Sequence, residues 1–223
     1  MALSTYSELK TAIANWLNRS DLTSEIQDDF IKLTESDINA KLRIREMISQ
    51  SSITIDAETE SLPTGFLQVR DFFITSGAVK HPLRYVTPPH MDQIRGTSVT
   101  GTPEVYTILG SNFRFAPKPD SSYSGTLNFY KSFDALSDSN TTNFILTSHP
   151  AIYLYGSLYH AALFLGGVDP RQVQQYQSMF VTALERLERN DREDQFSGSP
   201  LQIRSEDTVA AAFNDRMITN TTG

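Results

Sequence analysis

The sequence predicts an α+β fold: a helical bundle of two N-terminal and two C-terminal helices, an inserted antiparallel β domain, and an extended C-terminal tail. This prediction rests on the changing spacing of the apolar residues. Near both ends of the chain they recur every three or four positions, as in amphipathic helices, and from Ser51 to about Phe133 they alternate, as in strands. After Phe196 they become sparse, and too few remain there for an independent core.

The first two segments are predicted to be helices. Thr5 and Glu8 have the spacing of a capping box. The apolar stripe of this first helix is Tyr6, Leu9, Ile13, Trp16 and Leu17. A second helix is expected from about Ser24 to Met47. Its apolar residues fall on two sides, Ile26, Phe30 and Leu33 on one and Ile31, Ile38 and Leu42 on the other. Two apolar sides predict packing neighbours on both.

The middle of the chain is predicted to contain five or six short strands. Pro63 and Gly65 mark a turn, and Gly110 with Ser111 has the composition of a two-residue hairpin loop. Pro88–Pro89 indicates one short helix between strands, because proline suits the first turn of a helix.

The C-terminal pair of helices begins with an apolar run over residues 151–165. Pro150 suits its first turn and Gly166 its end. At about 15 residues the run is shorter than the roughly 20 that a membrane span requires, so we predict a buried core helix. A final amphipathic helix is expected from Pro170 to about Glu193.

The helical bundle is therefore predicted to be discontinuous in sequence. The predicted parts are a bundle of residues 1–50 and 147–196, an inserted β domain of residues 51–146, and a tail of residues 197–223. In the tail, Val209, Phe213 and Met217 lie four residues apart, so this segment could form a short amphipathic helix in a groove of a partner. A frayed terminus is an equally good interpretation of the same residues.

Composition argues against several kinds of chemistry. The 223 residues contain no cysteine, which excludes disulfides, thiolate metal sites and cysteine nucleophiles. The four histidines lack the spacing of a zinc site, no serine lies in a Gly-x-Ser-x-Gly turn, and no glycine loop has a phosphate-binding pattern. His160, in the apolar run, is interpreted as a hydrogen-bonded core or interface residue. We predict a protein that is not an enzyme, with no catalytic residue, cofactor or metal.

The charge balance bears on nucleic acid and on location. A formal charge of -7 argues against tight binding to duplex DNA, because it repels phosphate. A weakly repelling surface also suits a conduit through which DNA slides. Charge alone therefore does not distinguish a DNA conduit from a protein that has no contact with DNA. Lys32, Lys41, Arg43 and Arg45 give the second helix a modest basic side. It could contact DNA or the acidic residues of another subunit, and a solvated face is the favoured interpretation. The N-terminus lacks the pattern of a signal peptide, which predicts assembly in the cytoplasm.

Six segments together form a recognisable series. In chain order they read TYSELKTAIANWL, ESDINAKLRIREM, SLPTGFLQVRDF, HPLRYVTPPHMDQI, GTPEVYTILGSNFRFAPKPD and FILTSHPAIYLYGSLYHAA. Each segment alone is weakly specific, but their order and spacing resemble the head-to-tail adaptor, or connector, proteins of tailed bacteriophages. The resemblance covers about residues 3–197.

The resemblance implies a structural protein of the virion neck. Such adaptors form a homo-oligomeric ring, usually a dodecamer, that joins the portal protein to a tail or nozzle protein and extends the channel for double-stranded DNA without binding it tightly. The resemblance also implies that the C-terminal segment of the chain, residues 197–223, reaches the portal. The expected portal-binding residues are Val209, Phe213 and Met217. The alternatives are another neck or tail-completion ring protein, a virion-associated hydrolase, and a nucleic-acid-binding protein. A membrane is not an expected partner.

Overall fold

The computed structural model describes residues 3–77, 79–94 and 100–196, and it has the α+β composition that the sequence predicts. The helices are α1 (Tyr6–Leu17), α2 (Thr23–Glu25), α3 (Ile31–Lys41), α4 (Pro88–Ile94), α5 (Phe144–Ser148), α6 (Pro150–Leu165) and α7 (Pro170–Phe196). The strands are β1 (Ile48–Ile55), β2 (Thr59–Ser61), β3 (Phe66–Ser76), β4 (Val79–Pro82), β5 (Arg84–Tyr85), β6 (Val105–Leu109), β7 (Asn112–Ala116) and β8 (Tyr123–Lys131). The predicted tail lies outside the described residues.

Helix α1 begins with the predicted capping box. The Thr5 hydroxyl accepts a hydrogen bond from the Glu8 amide at 3.3 Å, and the Glu8 carboxylate accepts one from the Thr5 amide at 3.1 Å. Asn18, with a left-handed φ of 51°, ends the helix. Two otherwise unpaired amides are satisfied in this way, which fixes where the helix starts.

The second helix begins as predicted but ends earlier. α2 continues through a π-helical segment, Ile26–Phe30, into α3, which stops at Lys41. The expected end at Met47 is wrong, because Leu42 has extended backbone and Arg45–Met47 form only a 3-10 turn. The Arg43 guanidinium donates hydrogen bonds to the carbonyls of Asn39 and Leu42, at 2.7 and 2.6 Å, and so satisfies acceptors that a longer helix would have used.

The eight strands form two four-stranded sheets, where five or six strands were expected. The first has the order β1-β8-β3-β4 and is antiparallel throughout. The second has the order β2-β7-β6-β5, and its β5–β6 pair is parallel. The predicted hairpin is confirmed, since Leu109 pairs with Asn112 across Gly110 and Ser111.

The C-terminal helices agree closely with the sequence. α6 has Pro150 in its first turn and Gly166 at its end, with a φ of 64°. α7 extends slightly beyond the expected Glu193, to Phe196. The short helix α5 was not predicted; its first turn is capped by the side chain of Asn143, which accepts a hydrogen bond from the Leu146 amide at 2.9 Å.

Two main hydrophobic clusters organise these elements. The helical cluster combines residues of α1, α3, α6 and α7, with Tyr153, Phe30 and Phe180 among its largest buried side chains. The β cluster lies between the sheets and is rich in aromatic rings, including Phe72 of the first sheet and Phe113 of the second, 5.2 Å apart. A smaller cluster lies under α4. The predicted limits of the β domain, residues 51 and 146, stay predictions.

A buried carboxylate attaches the segment after β8 to the helices. Glu35 Oε1 accepts hydrogen bonds from the Leu136 amide at 2.7 Å and from the Tyr153 hydroxyl at 3.1 Å. The Asn39 side chain accepts a third from the Phe133 amide at 3.1 Å. Burial raises the pKa of Glu35 above its ordinary value, although these donors and Lys32 act in the opposite direction.

The chain divides into two compact units, Met1–Glu188 and Arg189–Gly223. The hydrophobic clusters lie in the first unit. Of the second unit, only the end of α7 is described.

Candidate interaction surfaces

The helical part of the chain exposes several large apolar side chains. Trp16, Leu33, Leu163 and Phe164 are each about half exposed or more, at 52, 49, 54 and 58%. Side chains of this size mark contact surfaces when they cluster, whereas scattered ones are unremarkable. Here they border two separate grooves.

The α3–α6 groove lies between the π-helical segment, α3 and the end of α6. It encloses about 550 Å³ and is lined by Asp28, Asp29, Phe30, Lys32, Leu33, His160, Leu163 and Phe164. The rings of Phe30 and Phe164 meet edge to face at 5.5 Å, so the floor of the groove is continuous with the helical core. The exposed Leu33, Leu163 and Phe164 make its rim apolar.

Two polar pairs fix the sides of this groove. Lys32 donates to Asp28 at 2.8 Å, and His160 Nε2 lies 3.1 Å from Asp37 Oδ2. His160 is thus a hydrogen-bonded residue at the edge of the helical core, as the sequence predicts. The π-helical turn places Asp28, Asp29 and Phe30 at the groove, and such single π turns occur frequently at functional sites.

The α6–α7 groove lies on another side of the helical part. It encloses about 230 Å³ and is lined by Ala151, Tyr155, Ser178, Met179, Thr182, Ala183 and Arg186. The ring of Tyr155 meets that of the exposed Trp16 edge to face at 6.0 Å. Trp16, Tyr155 and Met179 therefore form an apolar surface contributed by α1, α6 and α7.

Helix α6 contributes to both grooves from opposite sides. At 100° per residue, the mean direction of Ala151 and Tyr155 differs from that of His160, Leu163 and Phe164 by roughly 150°. The body of α6 between them is held by close packing, because Gly156 allows Thr34 of α3 and Phe180 of α7 to approach its backbone. The two grooves are thus supported by one rigid helix.

The basic side predicted for the second helix is not a continuous face. Lys32 is paired with Asp28, and Arg43 is directed at the end of α3 and at Gln68, whose side-chain oxygen accepts from Arg43 Nε at 3.3 Å. Arg43 and Arg45 follow the helix and do not belong to it. Lys32 and Arg43 are therefore engaged by groups of the chain itself.

Two other features, a metal-binding cluster and a membrane-spanning helix, are absent from the described part of the chain. Within residues 3–77, 79–94 and 100–196, no group of three or more His, Cys, Asp or Glu side chains could hold a metal ion. In that same part of the chain, no helix has both the length and the apolar character to cross a membrane. Val209, Phe213 and Met217, the expected portal-binding residues, lie outside the described residues.

The apolar grooves were missed by sequence reasoning. Trp16 was assigned to a core stripe and residues 151–165 to a buried core helix, but Trp16, Leu163 and Phe164 are exposed. One signal could have indicated the α3–α6 groove: among the described residues, Leu33 stays exposed on an apolar side of the second helix whose other members, Ile26 and Phe30, are buried.

A comparison with protein families gives one match. The family model described as SU10 adaptor protein matches residues 4–204, which is most of the chain and includes both sheets and all the helices. None of the curated proteins compared with the chain matches it.

Proposed function

Because the chain belongs to the SU10 adaptor protein family, we propose that it is a structural, non-enzymatic adaptor in the neck of a tailed-bacteriophage virion. In this proposal twelve copies form a ring that joins the portal protein to a tail or nozzle protein. The ring extends the DNA channel during packaging, retention and ejection of the genome. Family membership over residues 4–204 is the observation that carries the proposal.

Physical features of the chain support this role. The exposed apolar residues of the helical part suit lateral association of subunits. The formal charge of -7 suits a channel past which DNA slides without sticking, because phosphates are weakly repelled.

We further propose a division of labour among the parts. Residues 1–50 and 147–196 would build the ring. The β domain, residues 51–146, would face the phage tail or the outside of the neck. The C-terminal segment of the chain, residues 197–223, would reach the portal. The family match ends at residue 204, before the proposed portal-binding residues Val209, Phe213 and Met217.

Particle assembly tests the adaptor role. A phage that lacks this chain is expected to accumulate DNA-filled heads without tails, and adding the purified full-length chain is expected to restore tail attachment. Electron microscopy of particles with a labelled chain should show density at the neck. Label in the tail tube or inside the head, or normal tails without the chain, would contradict the adaptor role.

Removal of residues 198–223 tests the portal anchor separately. The truncated chain is expected to bind tail-less, DNA-filled heads much more weakly than the full chain, measured by co-sedimentation. The triple substitution V209S, F213S and M217S should have a similar effect, because it removes the apolar side chains alone. Asn214→Ser is the matched control and should bind normally. Undiminished binding of the truncated chain would disprove the anchor.

A further inference from the structure

We infer that the α3–α6 groove of one copy receives the surface formed by Trp16, Tyr155 and Met179 of the next copy. Neighbouring copies would then associate through two different surfaces. This inference rests on the proposed ring and identifies the two surfaces that would form it. The partner is therefore a second copy of this chain.

The apolar character of the two surfaces is the first argument. Leu33, Leu163 and Phe164 surround the α3–α6 groove, and Trp16 projects beside the α6–α7 groove at 52% exposure. Association would remove these side chains from water, and tryptophan and tyrosine are the residues that most often anchor interfaces. A concave groove of about 550 Å³ offers room for projecting aromatic side chains.

Charge is the second argument, and it selects the pairing. Among the described residues, the α3–α6 groove is lined by Asp28 and Asp29 and by one cation, Lys32, whereas Arg186 is the only charged residue that lines the α6–α7 groove. Among the described residues, neither Asp29 nor Arg186 has an ion-pair partner. Joining unlike grooves brings Arg186 towards Asp29. Joining like grooves would instead bring together two grooves with an acidic excess, or two grooves that each carry Arg186, which is less favourable.

Geometry is the third argument. Because the two surfaces lie on opposite sides of α6, occupation of one leaves the other free for a further copy. A contact between two different surfaces is heterologous, and it generates a ring when the rotation between subunits closes. A contact between identical surfaces would stop at a dimer. The positions of the grooves are therefore compatible with the proposed ring.

Cross-linking in assembled particles tests the pairing. The chain has no native cysteine, so Leu33→Cys and Met179→Cys would introduce the only thiols, one at each groove. Particles are grown with the full-length doubly substituted chain and treated with a short bismaleimide. We expect a ladder of cross-linked multimers for the double variant and single chains for each single variant.

The outcomes separate the pairing from the adaptor role. Dimers from either single variant would show like grooves in contact and overturn the inference. A double variant that is present at the neck but gives no ladder would also overturn it, while leaving the adaptor role intact. Absence of the wild-type chain from the neck would instead overturn the adaptor role.

Charge reversal provides a second test that does not depend on cross-linker geometry. Asp29→Arg or Arg186→Glu alone is expected to reduce the number of tailed particles about tenfold, because like charges then face each other. The double variant restores opposite charges across the interface and should recover near-normal assembly. Equal loss in the single and double variants would contradict the pairing.

Discussion

Replacement of Gly156 by alanine tests whether the close approach of α3, α6 and α7 is essential. A Cβ atom on residue 156 would lie 2.5 Å from Thr34 Cγ2 and 3.0 Å from Phe180 Cε2, where ordinary contacts are 3.4–4 Å. Thr34 cannot easily turn away, because its hydroxyl donates to the Phe30 carbonyl at 2.8 Å and lies 3.4 Å from Ser157 Oγ. Alanine therefore has to push the helices apart.

The expected cost follows from two opposing effects. Overpacking of a core costs about 1–3 kcal/mol, and the severe overlap places this site near the upper end. Alanine also favours the helix over glycine by about 1 kcal/mol. We therefore expect the free energy of unfolding to fall by about 2 kcal/mol, or the melting temperature by roughly 4–8 °C for a chain of this size.

Urea or thermal unfolding of full-length variants measures this change. Gly167→Ala is the matched control, because its Cβ would meet nothing closer than 3.9 Å, and its effect should stay within about 0.5 kcal/mol. Thr34→Ser removes the Cγ2 atom and keeps the hydroxyl, so it should recover about 1 kcal/mol in the Gly156→Ala background. Wild-type stability of Gly156→Ala, or strictly additive effects of the pair, would refute the reasoning.

Three further substitutions, at two residues, probe buried polar groups. Burial raises the pKa of Glu35 above its ordinary value of 4.5, so the folded chain binds this proton more tightly than the unfolded chain. The free energy of unfolding of the wild type, relative to that of Glu35→Gln, should therefore rise as the pH falls from 7 towards 4.5. Urea titrations measure this difference, and a relative loss of stability on acidification would contradict the reasoning. Glu35→Ala leaves the Leu136 amide unpaired and should cost about 2–4 kcal/mol at pH 7 by the same assay. The buried Thr107 hydroxyl has no hydrogen-bond partner among the described residues. Thr107→Val should therefore raise the free energy of unfolding by about 1 kcal/mol, measured by thermal unfolding. A loss of stability would indicate a role for that hydroxyl.

Local signals explain where sequence prediction succeeded. Thr5 with Glu8, the loop Gly110–Ser111, and Pro150 with Gly166 are short-range features whose geometry depends on residues within a few positions. The elements that they bound, α1, the β6–β7 hairpin and α6, lie where they were expected. No long-range contact was needed to place them.

The misplaced elements depend on contacts distant in sequence or on single side chains. The apolar spacing continues through Leu42, Ile44 and Met47, which are buried, so the pattern gave no sign that α3 ends at Lys41. The Arg43 side chain caps this end of α3, because it donates hydrogen bonds to the carbonyls of Asn39 and Leu42. Similarly, α5 is one short turn capped by Asn143, too brief for a periodic signal.

The misjudged burial of Trp16, Leu163 and Phe164 has a different origin. Apolar periodicity reports that a helix face is removed from water, but not whether the covering surface belongs to the same chain. Leu33 illustrates this, because it is exposed among the described residues while Ile26 and Phe30, on the same apolar side of the second helix, are buried. In a subunit that completes its core by association, the residues that sequence analysis wrongly assigns to the interior are those expected at the interface. The misassigned residues surround the two grooves that we propose to pair, so the same residues would be buried in the ring.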